Sequence, residues 1–223
     1  MSQSSSNENW FWLQSSGGSL AREGLTVLKH AKDIGYKVGW GSNPVENFIP
    51  VGDVDYCESR LKYKPKPNFA PLWLADYFHR KIETIYSGVQ FELTLKKDCF
   101  VKSADEYKKY PAKVYKAGET LPFGSLMLSD VVEFTQEWRY YVANGDILAT
   151  GWYSGDNEDE PAPELKLDWP SDYSGAVDFG RLSTSEIALV EAQDAYACGW
   201  YGDDGIAYTR WLAEGWKSLN ESN

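Results

Sequence analysis

The pattern of apolar and polar positions changes near residue 90. Before that point, the apolar stretches WFWL at 10–13 and YKVGW at 36–40 flank a helical pattern from Ser19 to Gly35, with Ser19 expected to open the helix. These three elements predict a βαβ unit and therefore an α/β lobe. A second helical pattern, PLWLADYFHRKIETI, covers 71–85.

After residue 90 the chain has short segments rich in β-branched and aromatic residues, separated by turn residues. The strongest local signal is Asn144-Gly145 between two apolar segments, which predicts a hairpin. An amphipathic stretch at 205–219 predicts a closing helix, and the acidic segment 155–164 predicts a solvated loop. The predicted strands lie at 91–95, 99–103, 112–118, 137–142, 147–154, 177–183 and 187–193.

Composition indicates a globular protein that does not bind nucleic acid. The 223 residues are 43% hydrophobic and 15% aromatic, which is enough for a large core, and the net charge of −11 argues against a surface that follows a phosphate backbone. Three cysteines without CxxC spacing and two isolated histidines argue against a zinc site. The lack of a signal-peptide pattern and of a long apolar run predicts a cytoplasmic protein with no membrane partner. Residues 1–9 are expected to form a flexible tail.

Strand alternation places one arginine on a rigid surface. In EWRYYV, the side chains of Glu137, Arg139 and Tyr141 are predicted to share one face of the strand. An arginine fixed in this way is suited to bind a phosphate. The alternative is that Glu137 and Arg139 form only a cross-strand ion pair, which contributes little if it is exposed.

The last predicted strand ends in a cluster of oxygen donors. Alternation predicts that Leu189, Glu191 and Gln193 share one face, with Asp194 at the strand end. Asp178, on the preceding strand of a predicted hairpin, could supply a fourth donor. Because acidic groups beside an apolar strand need a cationic partner, this set suggests a hard cation such as Mg²⁺.

Lysines follow at positions suited to holding phosphates. Lys102 lies on a predicted strand, and Lys108, Lys109 and Lys113 lie in the hairpin after it. Lysines, one arginine and chelating carboxylates are the groups that phosphoryl transfer requires, yet no Walker A or kinase HRD pattern is present. The alternative for Lys108 and Lys109 is a solvated charge run, and Lys113 is expected to be an ordinary surface lysine.

Three segments in this order resemble the ATP-grasp superfamily. They are FVKSADEYKKY at 100–110, SDVVEFTQEWRYYVANGDILA at 129–149 and VDFGRLSTSEIALVEAQDAYACGWYG at 177–202. They are most similar to the divergent clade that contains a eukaryotic assembly factor for translation initiation factor 2.

The resemblance implies an α+β fold in which two sheet-containing lobes clasp ATP. The α/β lobe at 10–90 would precede an ATP-grasp domain at 91–219, with a small lobe at about 91–127 and a large lobe at about 128–219.

The resemblance also implies roles for individual residues. Lys102 matches the first phosphate-contacting lysine, Lys108 or Lys109 matches the second, and Arg139 matches the arginine that meets the transferring phosphate. In the hinge LMLSDVVEF, Glu133 would reach the ribose or the base. The remaining candidates are Met127, Leu128, Ser129 and Val132 for adenine, and Asp178, Glu191, Gln193 and Asp194 for Mg²⁺.

The implied activity is ATP-dependent ligation of a carboxylate to an amine or thiol through an acylphosphate, on a peptide or protein substrate. Two departures favour an alternative, an ATP-binding assembly protein without turnover: Gln193 stands where asparagine is typical, and the lysine hairpin lacks glycines. Crowded carboxylates in the free protein also predict that Glu191→Ala relieves repulsion.

Overall fold

Three short parallel strands and a helix build the N-terminal lobe. The computed structural model describes residues 9–88 and 93–221, so the predicted tail at 1–8 and the start of the predicted strand at 91–95 lie outside the described residues. The parallel sheet has the order β4-β1-β5. The elements are β1 (Trp10–Leu13), β2 (Ser15–Ser16), β3 (Ser19–Leu20), α1 (Arg22–His30), a 3₁₀ helix (Ala31–Ile34), β4 (Lys37–Trp40), β5 (Phe48–Val51) and α2 (Val54–Glu58).

The predicted βαβ unit is confirmed, since β1 and β4 pair in parallel on either side of α1 in the sequence. The helix begins at Arg22 and not at Ser19, so that part of the prediction is wrong. Ser19 lies instead in β3, which pairs with β2 around Gly17 and Gly18. The end is as predicted: the 3₁₀ helix stops at Gly35, whose φ of +80° is the left-handed conformation that glycine adopts freely.

A four-stranded antiparallel sheet, named here the small sheet, follows. Its order is β6-β9-β7-β8. Because β6 belongs to this sheet, the small sheet begins before residue 91, and β9 continues beyond residue 127; the lobe boundaries given above stay predictions. The elements are a 3₁₀ helix (Leu72–Tyr77), β6 (Ile82–Ser87), β7 (Cys99–Ser103), β8 (Lys113–Tyr115) and β9 (Gly124–Asp130).

The predicted helix at 71–85 is wrong. Only Leu72–Tyr77 is helical, as a 3₁₀ helix, and His79 then has a φ of +44°, which breaks the helical path. Residues from Ile82 onward pair with β9, and this long-range pairing overrides the local helical pattern.

The second four-stranded antiparallel sheet, named here the large sheet, has the order β11-β10-β12-β13. The predicted hairpin is confirmed: Asn144 and Gly145 both have positive φ, at +52° and +80°, as a type I′ turn requires. The predicted closing helix is also confirmed. The elements are β10 (Phe134–Ala143), β11 (Asp146–Gly155), β12 (Gly175–Leu182), β13 (Ile187–Asp194) and α3 (Gly205–Glu221).

The large sheet is covered by apolar residues on both faces. One cluster includes Phe11, Tyr141 and Trp211 and joins the N-terminal lobe and α3 to the sheet. The indole of Trp211 donates to the carbonyl oxygens of Val142 (3.0 Å) and Gly175 (3.1 Å), which fixes α3 against β10 and β12. A second cluster, on the opposite face, includes Trp138, Tyr140, Phe179 and Leu189. Within the described ranges, no helix is long and apolar enough to cross a membrane.

Candidate active site

A β-bulge decides which way the acidic end of β13 faces. Phe179 pairs with Leu189, whereas Asp178 pairs with Glu191, so Val190 is the extra residue of the bulge. Asp178 and Phe179 are neighbours and point to opposite faces, and their partners must do the same. The prediction that Leu189 and Glu191 share one face is therefore wrong. Leu189 packs in the second cluster, and Glu191 lies on the face of Asp178.

Arg139 and Asp178 form a buried, bidentate ion pair. They are direct partners in the β10–β12 register, and Nε and Nη2 of Arg139 donate to the two carboxylate oxygens, each at 2.7 Å. Both residues are buried, at 4% and 2% exposure. Burial alone would lower the pKa of Arg139, but the hydrogen bonds and charge of Asp178 raise it well above its usual value. The alternative of a simple Glu137–Arg139 pair does not describe this contact.

Lys102 brings the small sheet to the acidic end of β13. Its ammonium group contacts Oε2 of Glu191, and it lies 3.3 Å from the ring centroid of Phe69. Lys102 is 8% exposed, and burial lowers its pKa, although Glu191 acts in the opposite direction. Burial would raise the pKa of Glu191, but the charge of Lys102 holds it below its usual value. This second ion pair links β7 to β13.

The other two metal candidates have partners of a different kind. The hydroxyl of Tyr107 donates to Oδ2 of Asp194 at 2.8 Å, and burial raises the pKa of Asp194. The side-chain amide of Gln193 donates to Oε1 of Glu191, and its own oxygen lies 3.5 Å from Sγ of Cys198. Asp194 and Gln193 thus lie beside Glu191 but do not form an open ligand set with it.

The residues as they are arranged do not fit a Mg²⁺ site. Both carboxylate oxygens of Asp178 accept from Arg139, and those of Glu191 accept from Lys102 and Gln193. Across residues 9–88 and 93–221, no three histidine, cysteine, aspartate or glutamate side chains are placed to hold a metal ion. The donors have the right chemistry, but protein cations already neutralise them. The metal role of the four residues stays a prediction.

The predicted adenine residues divide between two environments. Met127 pairs with Lys102 across β7 and β9, so the two share a face, and Met127 packs with Phe69 and Ala104. Leu128 lies on the other face, among the apolar residues that cover the back of the small sheet. A cavity of about 290 Å³ borders Met127, Phe69 and Ala104 and is large enough for a planar base.

Ser129, Val132 and Glu133 lie where the chain passes from the small sheet to the large one. Ser129 is buried at the end of β9, Val132 is half-buried and Glu133 is exposed. The carbonyl of Glu133 accepts from the backbone N–H of Ser183 at 3.2 Å. This linker is the hinge region that the sequence predicted, and the nucleotide contacts assigned to it stay predictions.

Two of the hairpin lysines have partners away from the Arg139–Asp178 pair. Lys109 lies 3.4 Å from Asp105 and 3.5 Å from Glu106 on its own loop, and Lys113 lies over the ring of Tyr115 on β8. These contacts agree with the expectation that Lys113 is a surface lysine.

Lys108 lies differently from the other two. It has a φ of +56° and borders a cavity of about 450 Å³, together with Cys198 and Tyr201. The ring centroid of Tyr201 lies 5.2 Å from Cζ of Arg139. The cavity therefore lies next to the aromatic residue that covers the arginine. Gln14, Ser16 and Asp53 complete this side of it, at the carboxyl ends of β1 and β5.

Sequence reasoning missed several residues at the site. Glu137 is half-buried, and burial together with the charges of Asp178 and Glu191 raises its pKa to about 7. Its place two residues before Arg139 was a signal, but the sequence suggested only an ion pair. Phe69 and Arg80 come from a loop-rich region without such a signal.

The comparisons with known proteins agree with this architecture. The model of an ATP-grasp domain family, family 2 of its clade, matches residues 77–211, more than half of the chain. The crystal structure of D-cycloserine synthetase DcsG is similar with a TM-score of 0.53 and 14% identity, covering 92% of this chain and 99% of that one. A RimK domain ATP-grasp protein from Sphaerobacter thermophilus has a TM-score of 0.49, 9% identity and the same coverage. No curated protein matches the sequence.

The two antiparallel sheets and the preceding α/β lobe make an α+β protein with the ATP-grasp fold. Because the family model covers most of both sheets, the assignment extends from fold to family. The chain belongs to this ATP-grasp domain family.

Proposed function

We propose that this protein is an ATP-dependent ligase that joins a carboxylate to an amine or thiol through an acylphosphate. The family match supports an ATP-grasp ligase as its enzyme class. The observation that carries the proposal is the pair of buried cations, Arg139 and Lys102, held by Asp178 and Glu191 where the two sheets meet. Oriented cations in a buried site are what transfer of a phosphoryl group requires.

ATP would bind between the sheets. Its base would enter the cavity beside Met127 and Phe69, and its phosphates would reach Lys102, which then exchanges Glu191 for phosphate oxygen. Lys108 or Lys109 would approach the phosphates from the loop after β7. The linker with Val132 and Glu133 would contact the base or ribose, as the sequence predicts.

Arg139 would orient the transferring phosphate. Asp178 accepts from Nε and Nη2, so Nη1 is the guanidinium nitrogen left to meet a phosphate oxygen. A substrate carboxylate oxygen attacks the γ-phosphorus, the bond to the ADP oxygen breaks, and an acylphosphate forms. Arg139 and Lys102 offset the charge that develops on the phosphoryl oxygens.

An amine then attacks the acyl carbon, phosphate leaves with the bonding electron pair, and an amide forms. The amine must lose a proton in this step. Glu137, on the face of Arg139 and with a pKa raised by burial to about 7, is the group we assign to accept it. The acceptor would occupy the cavity beside Tyr201 and Lys108.

Mg²⁺ remains a predicted cofactor, and no step of this reaction is assigned to it. When bound, it would add positive charge at the phosphates, and Glu191, Asp178, Gln193 and Asp194 are the residues that would hold it. Since protein cations occupy the first two, ligation would require Lys102 to leave Glu191. A peptide or protein as substrate, and a cytoplasmic location, also stay proposals from the sequence.

Hydroxylamine trapping tests the proposal. Acylphosphates react with hydroxylamine to give stable hydroxamates, so the protein is incubated with ATP, Mg²⁺, hydroxylamine and pools of carboxylates or peptides. We expect ADP and a hydroxamate in equal amounts with at least one pool. Arg139→Lys should lower both, and the matched control Arg181→Lys, at a residue paired with Glu160 outside the site, should not. ADP release at background with every pool would contradict the ligase.

A second candidate is an ATP-binding assembly protein without turnover, as the predicted link to the eukaryotic assembly factor implies. The paired charges of the site and the cover of Phe69 over Lys102 favour it. Such a protein would bind ATP and copurify with one partner in a fixed ratio, yet trap no hydroxamate. A ligase would show the opposite.

A further inference from the structure

The bulge at Val190 is held from outside the large sheet. β13 is an edge strand, so one side of its backbone has no strand partner. The guanidinium group of Arg80 occupies that side: Nη1 donates to the carbonyl of Leu189, and Nη2 donates to the carbonyl of Val190 at 3.2 Å. Nη1 also lies 3.3 Å from the carbonyl of Phe78, in the linker that carries Arg80 itself.

Arg80 is tied to these carbonyls and not to a carboxylate. Among the described residues, no acidic side chain lies within ion-pair distance of it, and its Cζ lies 5.5 Å from the ring centroid of Phe134. Asp130 acts on it only at longer range. A half-buried cation of this kind depends on the bulge carbonyls for its hydrogen bonds, and the bulge carbonyls depend on it.

The bulge in turn decides the direction of Glu191. With an unbroken strand, alternation would put Glu191 on the face of Leu189, inside the second apolar cluster. With the extra residue at Val190, Glu191 pairs with Asp178 and meets Lys102. A one-residue change in register would thus remove Glu191 from the site.

We propose that Arg80 is a positioning residue: by binding the carbonyls of Leu189 and Val190 it fixes the bulge and so directs Glu191 to Lys102. The functional part of this inference rests on the proposed ligase. Its structural part does not, because the coupling between Glu191 and Lys102 can be measured by unfolding alone.

The test is a double-mutant cycle of Glu191→Ala and Lys102→Met, measured by urea unfolding in the parent and again with Arg80→Gln. Arg80→Gln keeps a donor but loses the planar fork of the guanidinium. We expect the coupling, expressed as a ratio of unfolding equilibrium constants, to fall at least tenfold in the Arg80→Gln background. Arg181→Gln is the matched control, since Arg181 is also half-buried and lies over Trp138, and it should leave the coupling unchanged.

Undiminished coupling with Arg80→Gln would overturn the proposal. If Arg80→Gln does not fold, the same cycle with Arg80→Lys decides, because lysine keeps the charge and can still bind one carbonyl. A reduced coupling with Arg80→Lys supports the proposal and an unchanged one contradicts it. If the parent shows the coupling but no hydroxamate, the ligase fails while the positioning role stands.

Where the parent does turn over, Arg80→Gln should lower kcat about 10- to 100-fold, in the range found for residues that orient functional groups through hydrogen bonds. In the Glu191→Ala background the same substitution should change kcat less than about twofold, because the two residues act as a unit. Equal effects in both backgrounds would mean that Arg80 acts independently of Glu191.

Discussion

Replacing Glu191 by alanine leaves the ammonium group of Lys102 buried without a carboxylate. Lys102 is 8% exposed, and its pKa is already lowered by burial with Glu191 in place. Removing one partner of a buried ion pair costs about 3–5 kcal/mol of unfolding free energy. Since the Glu191 side chain is 26% exposed, water can reach the vacated position, and we expect the lower end, about 3 kcal/mol.

For a domain of this length, such a loss lowers Tm by about 6–12 °C. Urea unfolding followed by tryptophan fluorescence measures it directly. Lys102→Met with Glu191→Ala should recover most of the loss, because a buried ion pair can be replaced by apolar groups at little cost. Glu83→Ala serves as the control: Glu83 pairs with Lys81 at the surface, with both side chains exposed, and a surface pair contributes about 0.2–1 kcal/mol.

The reasoning is refuted if Glu191→Ala is no less stable than Glu83→Ala. That result would return to the expectation from the sequence, that carboxylates crowd each other in the free protein and that removing Glu191 relieves repulsion. The structure gives the opposite sign because Lys102 and Arg139 neutralise the carboxylates.

Three further predictions follow from other residues. Arg139→Lys keeps the charge but cannot bind both oxygens of Asp178, so turnover should fall by at least tenfold while the ATP dissociation constant changes less, and equal turnover would place Arg139 outside the site. The pKa of Glu137 is raised in the folded state to about 7, so its contribution to stability is full at low pH and is lost as pH rises through 7; Glu137→Gln should therefore gain stability relative to the parent between pH 5 and pH 8 in urea unfolding, and parallel pH curves would contradict this. Burial raises the pKa of the Cys57 and Cys198 thiols to about 12, so neither should react with a thiol reagent at pH 8 until the protein is unfolded, and rapid modification of the native protein would be inconsistent with these environments.

Local patterns predicted the parts of the site that lie within one strand or one hairpin. The face shared by Glu137, Arg139 and Tyr141 follows from alternation along β10, and the Asn144-Gly145 turn fixed the pairing beside it. The pairing of Asp178 with Glu191 was also expected from the hairpin order of their strands.

What the sequence could not predict depends on contacts between distant segments. The bulge at Val190 reversed the expected face of Leu189, and its partner Arg80 is more than 100 residues away. Pairing of β6 with β9 replaced a helical pattern at 71–85. Phe69 covers Lys102 from a loop in which no periodicity points to a site. No local pattern contains this information, because the packing of other segments determines it.

The central claim is that ATP binds where Lys102 meets the large sheet. An ATP analogue whose terminal phosphate carries a transferable acyl group tests it, because such a probe acylates a lysine amine that lies beside the bound phosphates. Mass spectrometry should find Lys102 acylated, with labelling suppressed by excess ATP and Mg²⁺, while the surface residue Lys113 shows no ATP-dependent protection. Labelling that spares Lys102, or labelling of Lys102 that ATP leaves unchanged, would contradict the account.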